Sequence, residues 1–346
     1  LYQFLPLISP KIHRHKKPPK SQLFLRSFPK RFKYLTELFL IMAKISIIGA
    51  AGTVGSSFGY HLAVQAIADE IVYVDIPSKH SFTVGQAEDT NHALAYHSDT
   101  NVSCGDYSDT ENSDIIVITA GKPRQPGQTR IDLAADNTAI LDSIINSLLE
   151  YNDDFISIIT TNPVDLLNRY VFESGDRPRE SVLGFGGILD SARFRYTLSK
   201  NLSLPVTDID ATILGEHGDS QVPIFSQIKL PGNTTPTFSN DEKEAILSSL
   251  KESAMRVIEQ KKATQWGPSA GLYHMVASII ENNNQTYPCS VVLDGEYGLS
   301  DVSLGVPIHL GPTGMKDILE WDLSTPEADA LKKSAEKLAS EYALLK

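Results

Sequence analysis

The sequence is poor in cysteine, and this scarcity excludes two kinds of site. Its 346 residues include only Cys104 and Cys289, which provide neither a disulfide framework nor the paired spacing of a zinc site. A reducing cytoplasm is therefore the expected location, and no metal site is predicted. No run of 18 uninterrupted apolar residues occurs, so no membrane-spanning helix is predicted.

Positive charge is also scarce once the first 41 residues are set aside. Residues 1–41 contain nine Lys/Arg and one acid, a net charge of +8, whereas residues 42–346 contain 22 Lys/Arg and 41 acids, a net charge of −19. A surface this acidic repels nucleic acid and anionic membranes, so neither is an expected partner. It suits solubility at high ionic strength, although a moderately acidic mesophilic enzyme can have a similar composition.

Residues 1–41 differ from the rest of the chain in being basic and interrupted by proline. Lys44 opens the first predicted strand directly after Met42. Three interpretations compete: upstream sequence translated from a misplaced start, a transit-type peptide, or a basic arm. We favour the first, because the strand begins where a natural N-terminus would lie. In each case we expect residues 1–41 to lie outside the fold.

The stretch from Lys44 to Gly55 organises the rest of the chain. Apolar residues at 45, 47 and 48 predict a short buried strand, and apolar residues recur at helical spacing from Val54 onwards. The glycines between them allow a tight turn. Such a unit aims backbone N–H groups and the positive end of a helix at one point, which suits a pyrophosphate. The predicted cofactor-binding turn comprises Gly49, Ala50, Ala51, Gly52, Thr53, Val54 and Gly55.

The glycine pattern alone is weak evidence, because it is spaced G-x-x-G-x-x-G rather than G-x-G-x-x-G. Support comes from a second predicted strand, residues 71–75, which ends in Asp75, 20 residues beyond Gly55. An acid there accepts hydrogen bonds from a ribose and repels a 2′-phosphate. The pattern therefore predicts NAD rather than NADP. The alternative is a glycine turn in another α/β protein, with Asp75 at a solvated strand end.

Helices and strands alternate through the first half of the chain. Apolar segments at 114–119 and 155–160 predict parallel strands buried on both faces, and residues 132–149 have the spacing of an amphipathic helix. A helix over 81–96 is followed by a polar loop. We predict the α/β class, with a Rossmann-type doubly wound parallel sheet over residues 42–185 that binds ligand beyond the C-terminal ends of its strands.

The second half mixes helices and strands. It is predicted to form an α+β substrate-binding catalytic domain over residues 186–346. Strands are expected near 209–214, 290–293 and 302–310, with a turn at 294–298. The predicted helices cover residues 189–200, 241–260, 270–281 and 325–345.

Three polar clusters suit the chemistry of a 2-hydroxy acid. A loop over residues 121–130 carries Arg124 and Arg130, Asp190 and Arg193 are three apart on a predicted helix, and His217 lies between glycines after a strand. Singly, these are a solvated loop, an ordinary helix ion pair and a structural histidine. Together they offer cations for a carboxylate and a base for a hydroxyl proton, with a carboxylate to orient the imidazole.

In these motifs the chain resembles the lactate/malate dehydrogenase superfamily. The resemblance runs from Met42 to the C-terminus in matching order and is greatest to the lactate-dehydrogenase-like malate dehydrogenases of salt-adapted archaea. It implies an NAD-dependent enzyme of the tricarboxylic acid cycle that interconverts malate and oxaloacetate, and a homotetramer with bound salt ions. The motifs that carry it are residues 49–55, Asp75, Arg124 with Arg130, residues 161–165, residues 189–193 and residues 215–219.

The resemblance also implies roles for single residues. His217 resembles the proton acceptor and Asp190 its partner, while Arg193 resembles the clamp on the substrate's C1 carboxylate. Arg130 resembles the arginine that polarises the reacting carbonyl, and Arg124 occupies the position that is arginine in malate enzymes and typically glutamine in lactate enzymes. The positions that resemble further cofactor or substrate contacts are Asn137, Thr160, Thr161 and Asn162, of which Asn162 contacts both substrate and cofactor.

Two departures from the family pattern accompany the resemblance. Lys262 stands where relatives often have glycine, and residues 1–41 have no counterpart. The alternatives to a malate dehydrogenase are an L-lactate or other 2-hydroxy acid dehydrogenase, which Arg124 disfavours, and an NAD-binding protein without catalysis. The latter would require the loss of His217, Asp190 or Arg193, and all three are present.

Overall fold

The computed structural model describes residues 43–125 and 127–345, so the expectation about residues 1–41 lies outside the described part of the chain. The described residues form eleven strands and eight α-helices. The strands are β1 (Lys44–Ile48), β2 (Glu70–Val74), β3 (Asn101–Gly105), β4 (Ile115–Ile118), β5 (Ile156–Ile159), β6 (Val182–Gly184), β7 (Ile213–Gly215), β8 (Gln221–Pro223), β9 (Thr286–Asp294), β10 (Ser300–Gly311) and β11 (Gly314–Ile318). The helices are α1 (Thr53–Val64), α2 (His80–Leu94), α3 (Arg130–Leu149), α4 (Val164–Ser174), α5 (Gly187–Leu202), α6 (Asn240–Lys261), α7 (Trp266–Glu281) and α8 (Thr325–Leu345).

One sheet contains all eleven strands. Its first part has the order β3-β2-β1-β4-β5-β6, and every pairing in it is parallel. The strand order reverses at β1, which lies between β2 and β4, and ligands of doubly wound sheets bind at such a reversal. The predicted α/β class and doubly wound parallel sheet are confirmed.

The second part of the sheet is antiparallel and is joined to the first through β9. Gly184 of β6 pairs with Ser290 of β9, and the order continues β9-β10-β7-β8, with β11 also paired to β10. The α/β and antiparallel parts are therefore continuous through one antiparallel pair. This join lies beside the C-terminal ends of the central strands.

The central strands are buried on both faces because their side chains alternate between two cores. In β4, Ile115 and Val117 enter one hydrophobic cluster, whereas Ile116 and Ile118 enter the other. Each residue is fully buried. This accounts for the near-continuous apolar sequence, since helices cover both faces of a parallel sheet.

The structure corrects three details of the predicted elements. The segment after α2, predicted as a polar loop, contains β3, an edge strand with one buried residue, Val102, among more exposed neighbours. The strand predicted near 209–214 is shorter, since β7 begins only at Ile213. Helix α4, the three-residue strands β6 and β8, and strand β11 were not predicted. In the described part of the chain, no helix combines the length and apolarity needed to cross a bilayer.

Candidate active site

A cleft of about 670 Å³ opens at the C-terminal ends of β1, β4 and β5. It lies where the strand order reverses, as predicted for this sheet. The glycine turn, the loop after β4, the segment after β5 and the junction between α6 and α7 all contribute to its wall. The lining residues are Gly52, Thr53, Val54, Gly55, Thr119, Gly121, Lys122, Pro123, Arg124, Arg130, Leu133, Thr160, Thr161, Asn162, Pro163, His217, Ala263 and Thr264.

The glycine turn has the backbone of an anion-binding site. Gly49 has φ +91°, and a Cβ there would lie 2.6 Å from the backbone nitrogen of Ala120. A Cβ on Gly55 would lie 2.5 Å from the carbonyl oxygen of Gly49, so helix α1 can pack this closely only on glycine. Gly52 caps α1 without a side chain, which leaves the first N–H groups of the helix directed towards the cleft.

Asp75 follows β2 and forms part of a second cavity, of about 460 Å³. Its Oδ2 accepts a hydrogen bond from Ala51 N–H at 2.8 Å, and its Oδ1 accepts one from Ile76 N–H at 2.9 Å. A carboxylate has about four acceptor sites, so two remain for ribose hydroxyls. Lys122 lines both cavities, and the glycine turn lies between them. This arrangement suits an elongated dinucleotide with its pyrophosphate at the turn.

His217 faces the cleft and is paired to a buried carboxylate. Its Nδ1 lies 2.6 Å from Oδ2 of Asp190, on α5, and Oδ1 of Asp190 accepts a hydrogen bond from Nη1 of Arg193 at 3.1 Å. Because Nδ1 donates to the carboxylate, Nε2 is the atom left for substrate. Burial lowers the pKa of His217, but the charge and hydrogen bond of Asp190, with help from Asp165, raise it by more. The imidazole therefore keeps its proton to a higher pH than a free histidine.

Arg130 is held beside His217 by a second buried carboxylate. Its Nη2 lies 3.0 Å from Oε1 of Glu216 and donates to the carbonyl oxygen of His217 at 3.3 Å. Oε1 of Glu216 also accepts from Nζ of Lys337, on α8, at 2.7 Å. Burial raises the pKa of Glu216, but its hydrogen bonds and Arg130 lower it by more, so this carboxylate stays charged. A Cβ on Gly218 would lie 2.1 Å from Nη1 of Arg130, so a larger residue there would displace this guanidinium from its position beside Glu216.

Arg124 lies at the mouth of the cleft and is exposed. Its Nε donates to the carbonyl oxygen of Gln128 at 2.8 Å. Within the described residues, the structure shows no protein acceptor for its two terminal nitrogens. The guanidinium is thus positioned by the loop and can still bind a carboxylate through those nitrogens.

The four remaining predicted contacts, three after β5 and Asn137 on α3, divide into lining and supporting groups. Thr160, Thr161 and Asn162 line the cleft, and the two threonine hydroxyls donate to carbonyl oxygens of Ile118 and Ala120. Asn137 instead lies fully buried behind the wall. It exchanges hydrogen bonds with the backbone of Lys122 and donates to the carbonyl oxygen of Asn162 at 2.8 Å.

Several residues at the site were not predicted, and four of them, two in the lining and two behind it, show why. Ala263 and Thr264 line the cleft but carry no chemical signal in the sequence. Glu216 and Asp165 belong to recognised motifs, yet only their buried contacts with Arg130 and His217 show what they do. Arg193 was predicted correctly as a neighbour of Asp190, but it reaches the site through that carboxylate and is absent from the lining of the cleft among the described residues.

Comparisons with known proteins agree with this geometry. The family model for the lactate/malate dehydrogenase NAD-binding domain matches residues 43–184, and that for the α/β C-terminal domain matches residues 188–345. A malate dehydrogenase of Haloferax volcanii is 59% identical over 301 residues, which are 87% of this chain and 99% of the relative. An L-lactate dehydrogenase of Acetivibrio thermocellus is 35% identical over 306 residues, 86% of this chain and 96% of the relative.

A solved structure has the same architecture. The crystal structure of a minor L-lactate dehydrogenase from Enterococcus mundtii, in a ligand-bound form, superposes with a TM-score of 0.83 at 28% sequence identity. The superposition covers 88% of this chain and 98% of that one. The likeness therefore extends over most of this chain and nearly all of that one.

Proposed function

Because the chain belongs to the lactate/malate dehydrogenase family, we propose that it is an NAD-dependent malate dehydrogenase, which interconverts malate and oxaloacetate. The resemblance to malate dehydrogenases of salt-adapted archaea that the motifs indicated is confirmed by curated relatives at 57–59% identity. The observation that carries the proposal is the pairing of His217 with Asp190 at 2.6 Å in a cleft that continues into the NAD-binding turn.

The chain's own residues account for proton transfer. Bound NAD supplies the hydride acceptor. Neutral His217 takes the hydroxyl proton of malate at Nε2, and the resulting imidazolium is stabilised by Asp190. In the reverse direction the same atom returns the proton to the carbonyl oxygen. Since the pKa of His217 is raised, malate oxidation should reach its plateau at a higher pH than an unperturbed histidine would give, and oxaloacetate reduction should persist to a higher pH.

Cations around His217 account for substrate orientation. The resemblance assigns the C1 carboxylate to Arg193, which pairs with Asp190 and is absent from the cleft lining among the described residues. It assigns the reacting carbonyl to Arg130. Arg130 already contacts the backbone of His217, which brings its guanidinium to the reacting end of the cleft. Asn162 contributes a further contact to substrate and cofactor.

Arg124 favours a dicarboxylate over a monocarboxylate. Malate carries a second carboxylate where lactate carries a methyl group, and the free terminal nitrogens of Arg124 can donate two charge-assisted hydrogen bonds to it. The identity to malate dehydrogenases, 56–59%, is higher than that to L-lactate dehydrogenases, 35–38%, and points the same way. Lactate dehydrogenase is the second candidate.

The wider setting of the enzyme is also part of the proposal. We infer a soluble cytoplasmic enzyme of the tricarboxylic acid cycle that assembles as a homotetramer, with salt ions bound to its acidic surface. The net charge of −19 over residues 42–346 and the relatives from salt-adapted archaea support the expectation of salt dependence. The domains proposed are residues 42–185 for NAD and 186–346 for substrate and catalysis.

Steady-state kinetics with NADH and either oxaloacetate or pyruvate test the function, read as the loss of absorbance at 340 nm. A preference for oxaloacetate is expected, together with greater stability in molar KCl than in dilute buffer, because salt screens the self-repulsion of an acidic surface. A preference for pyruvate would replace malate by lactate. Binding of NADH without turnover of either substrate would favour the non-catalytic alternative.

A further inference from the structure

A buried carboxylate that the mechanism above does not use lies directly behind the reacting histidine. Asp165, in the first turn of α4, is 1% exposed. Its Oδ2 accepts a hydrogen bond from the backbone N–H of His217 at 2.8 Å, and its Oδ1 accepts one from Oγ of Ser290, in β9, at 2.6 Å. One carboxylate thus connects α4, the β7–β8 loop and β9.

The environment of Asp165 is unusual for a buried acid. Both of these hydrogen-bond donors are neutral, and within the described residues no Lys or Arg forms an ion pair with it. Burial raises the pKa of Asp165 to about 6, although Ser290 and His217 oppose this rise. Near pH 7.5 the side chain is therefore mostly ionised. A buried charge without a cationic partner is costly, so it needs an explanation.

His217 provides that explanation, because one carboxylate contacts its ring and another contacts its backbone nitrogen. Asp190 contacts the imidazole at Nδ1, and Asp165 contacts the backbone nitrogen of the same residue. The position of Nε2 depends on the ring orientation and also on the main chain that carries it. We propose that Asp165 is a positioning residue of the reaction, which fixes the main chain of His217 and stabilises its imidazolium form through its negative charge.

Several other charged groups lie near His217, and the test must distinguish the effect of Asp165 from theirs. Asp190 and Arg193 approach from α5, and Arg130 approaches from the start of α3. Glu216, next to His217, is held by Lys337 of α8. Asp165 is the carboxylate that approaches from α4. Removing its charge while keeping its shape isolates its contribution from those of the other groups.

A purely structural role makes a different prediction. An acid in the first turn of a helix is favourable for the helix itself, and its loss would lower stability wherever it lay. It would not change the protonation of a particular histidine. The pKa of His217, measured directly, therefore distinguishes positioning and electrostatic support from general stabilisation.

The test is Asp165→Asn, examined by NMR titration of the ¹⁵N-labelled histidine side chains in the full chain. The Asn side chain can still accept from His217 N–H through Oδ1 and donate to Ser290 Oγ through Nδ2, so only the charge is lost. We expect the pKa of His217 to fall by at least about half a unit. The acidic limb of kcat/KM for malate should move to lower pH by the same amount. The His217 signal is assigned from its absence in His217→Gln.

Asp142→Asn provides a matched control. Asp142 also accepts a hydrogen bond from a hydroxyl, that of Tyr170 at 2.7 Å, and it is absent from the cleft lining. This variant should leave the His217 titration unchanged. Ser290→Ala, which removes one donor to Asp165, should shift the titration in the same direction as Asp165→Asn but by less. If Asp165→Asn does not fold, the Ser290→Ala titration tests whether Asp165 affects the pKa of His217.

The inference rests on the proposed function, but the two can fail separately. The NMR titration needs no turnover, so an inactive wild type would overturn the malate dehydrogenase proposal without affecting the measured pKa of His217. An unchanged His217 titration in folded Asp165→Asn and Ser290→Ala proteins would overturn the proposal that the negative charge of Asp165 stabilises the imidazolium of His217. Normal NADH binding in each variant establishes that it is folded.

Discussion

The choice between oxaloacetate and pyruvate should depend on Arg124, and the test is Arg124→Gln. Glutamine keeps much of the length of the side chain and its ability to donate a hydrogen bond, but removes the charge. Arg124 is exposed, and among the described residues its one protein acceptor is the carbonyl oxygen of Gln128, which Nε contacts. The substitution should therefore leave the fold intact, because no buried partner loses its contact.

The expected magnitude depends on whether the loop over residues 121–130 closes on the substrate. An exposed Arg–carboxylate pair contributes roughly 0.2–1 kcal/mol, or less than about fivefold in kcat/KM. In a closed site without water, losing one partner of a charged hydrogen-bonded pair costs about 2–5 kcal/mol, or about 30- to 5,000-fold. We expect Arg124→Gln to reduce kcat/KM for oxaloacetate within the larger range and to raise it for pyruvate, which no longer faces an unpaired charge.

The measurement compares both substrates with wild type and mutant at one KCl concentration. Arg195→Gln is the control. Arg195 is a partly exposed arginine on helix α5 that pairs with Asp210 at 2.7 Å. It should change neither substrate's kinetics. An Arg124→Gln enzyme that keeps its oxaloacetate preference would show that another group selects the substrate. A loss below fivefold would show that the loop does not exclude water around Arg124.

Three further substitutions test separate parts of the site. His217→Ala should leave NADH binding nearly unchanged and lower turnover by about 10² or more, the usual contribution of a general acid–base, as measured by fluorescence titration and initial rates; surviving turnover would assign the proton to another group. Asp75→Ala should weaken NADH binding by about tenfold or more and reduce the discrimination against NADPH. An unchanged ratio of the NADH and NADPH dissociation constants would contradict the proposed role of Asp75. Lys262→Gly should raise the melting temperature by about 1–3 °C. Lys262 has φ +70°, and glycine adopts this backbone with about 1 kcal/mol less strain. A lower melting temperature would contradict this.

The elements near the cofactor were predictable because their sequence signals are local. β1, the glycine turn and α1 follow one another within about 20 residues, and apolar periodicity with glycine spacing describes them fully. β3 was missed because it is an edge strand, where one face and one edge are exposed and polar residues are tolerated. β6 has only three residues, too few for any periodicity to appear.

Contacts distant in sequence explain what remained unpredicted at the site. The sequence places His217 between glycines and Asp190 on a helix, but the 2.6 Å contact between them depends on how α5 packs against β7. Glu216 lies next to His217 in the chain, and its binding of both Arg130 and Lys337 appears only when α3 and α8 converge on it. At Lys262, by contrast, the sequence alone marked an unusual position. Lysine stands there where relatives often have glycine, and the structure gives this residue a left-handed backbone.

The join between the parallel and antiparallel parts of the sheet lies beside the proposed reaction site. Gly184 pairs with Ser290 at this join, and Ser290 donates to Asp165, which in turn accepts from the backbone of His217. In the proposed mechanism the hydride site is built from the ends of the parallel strands, whereas the proton site, His217, lies on a loop of the antiparallel part. Hydride and proton transfer to one substrate require these two sites to keep a fixed separation. A continuous sheet with a buried carboxylate across its join provides that rigidity more directly than a flexible linker between domains could.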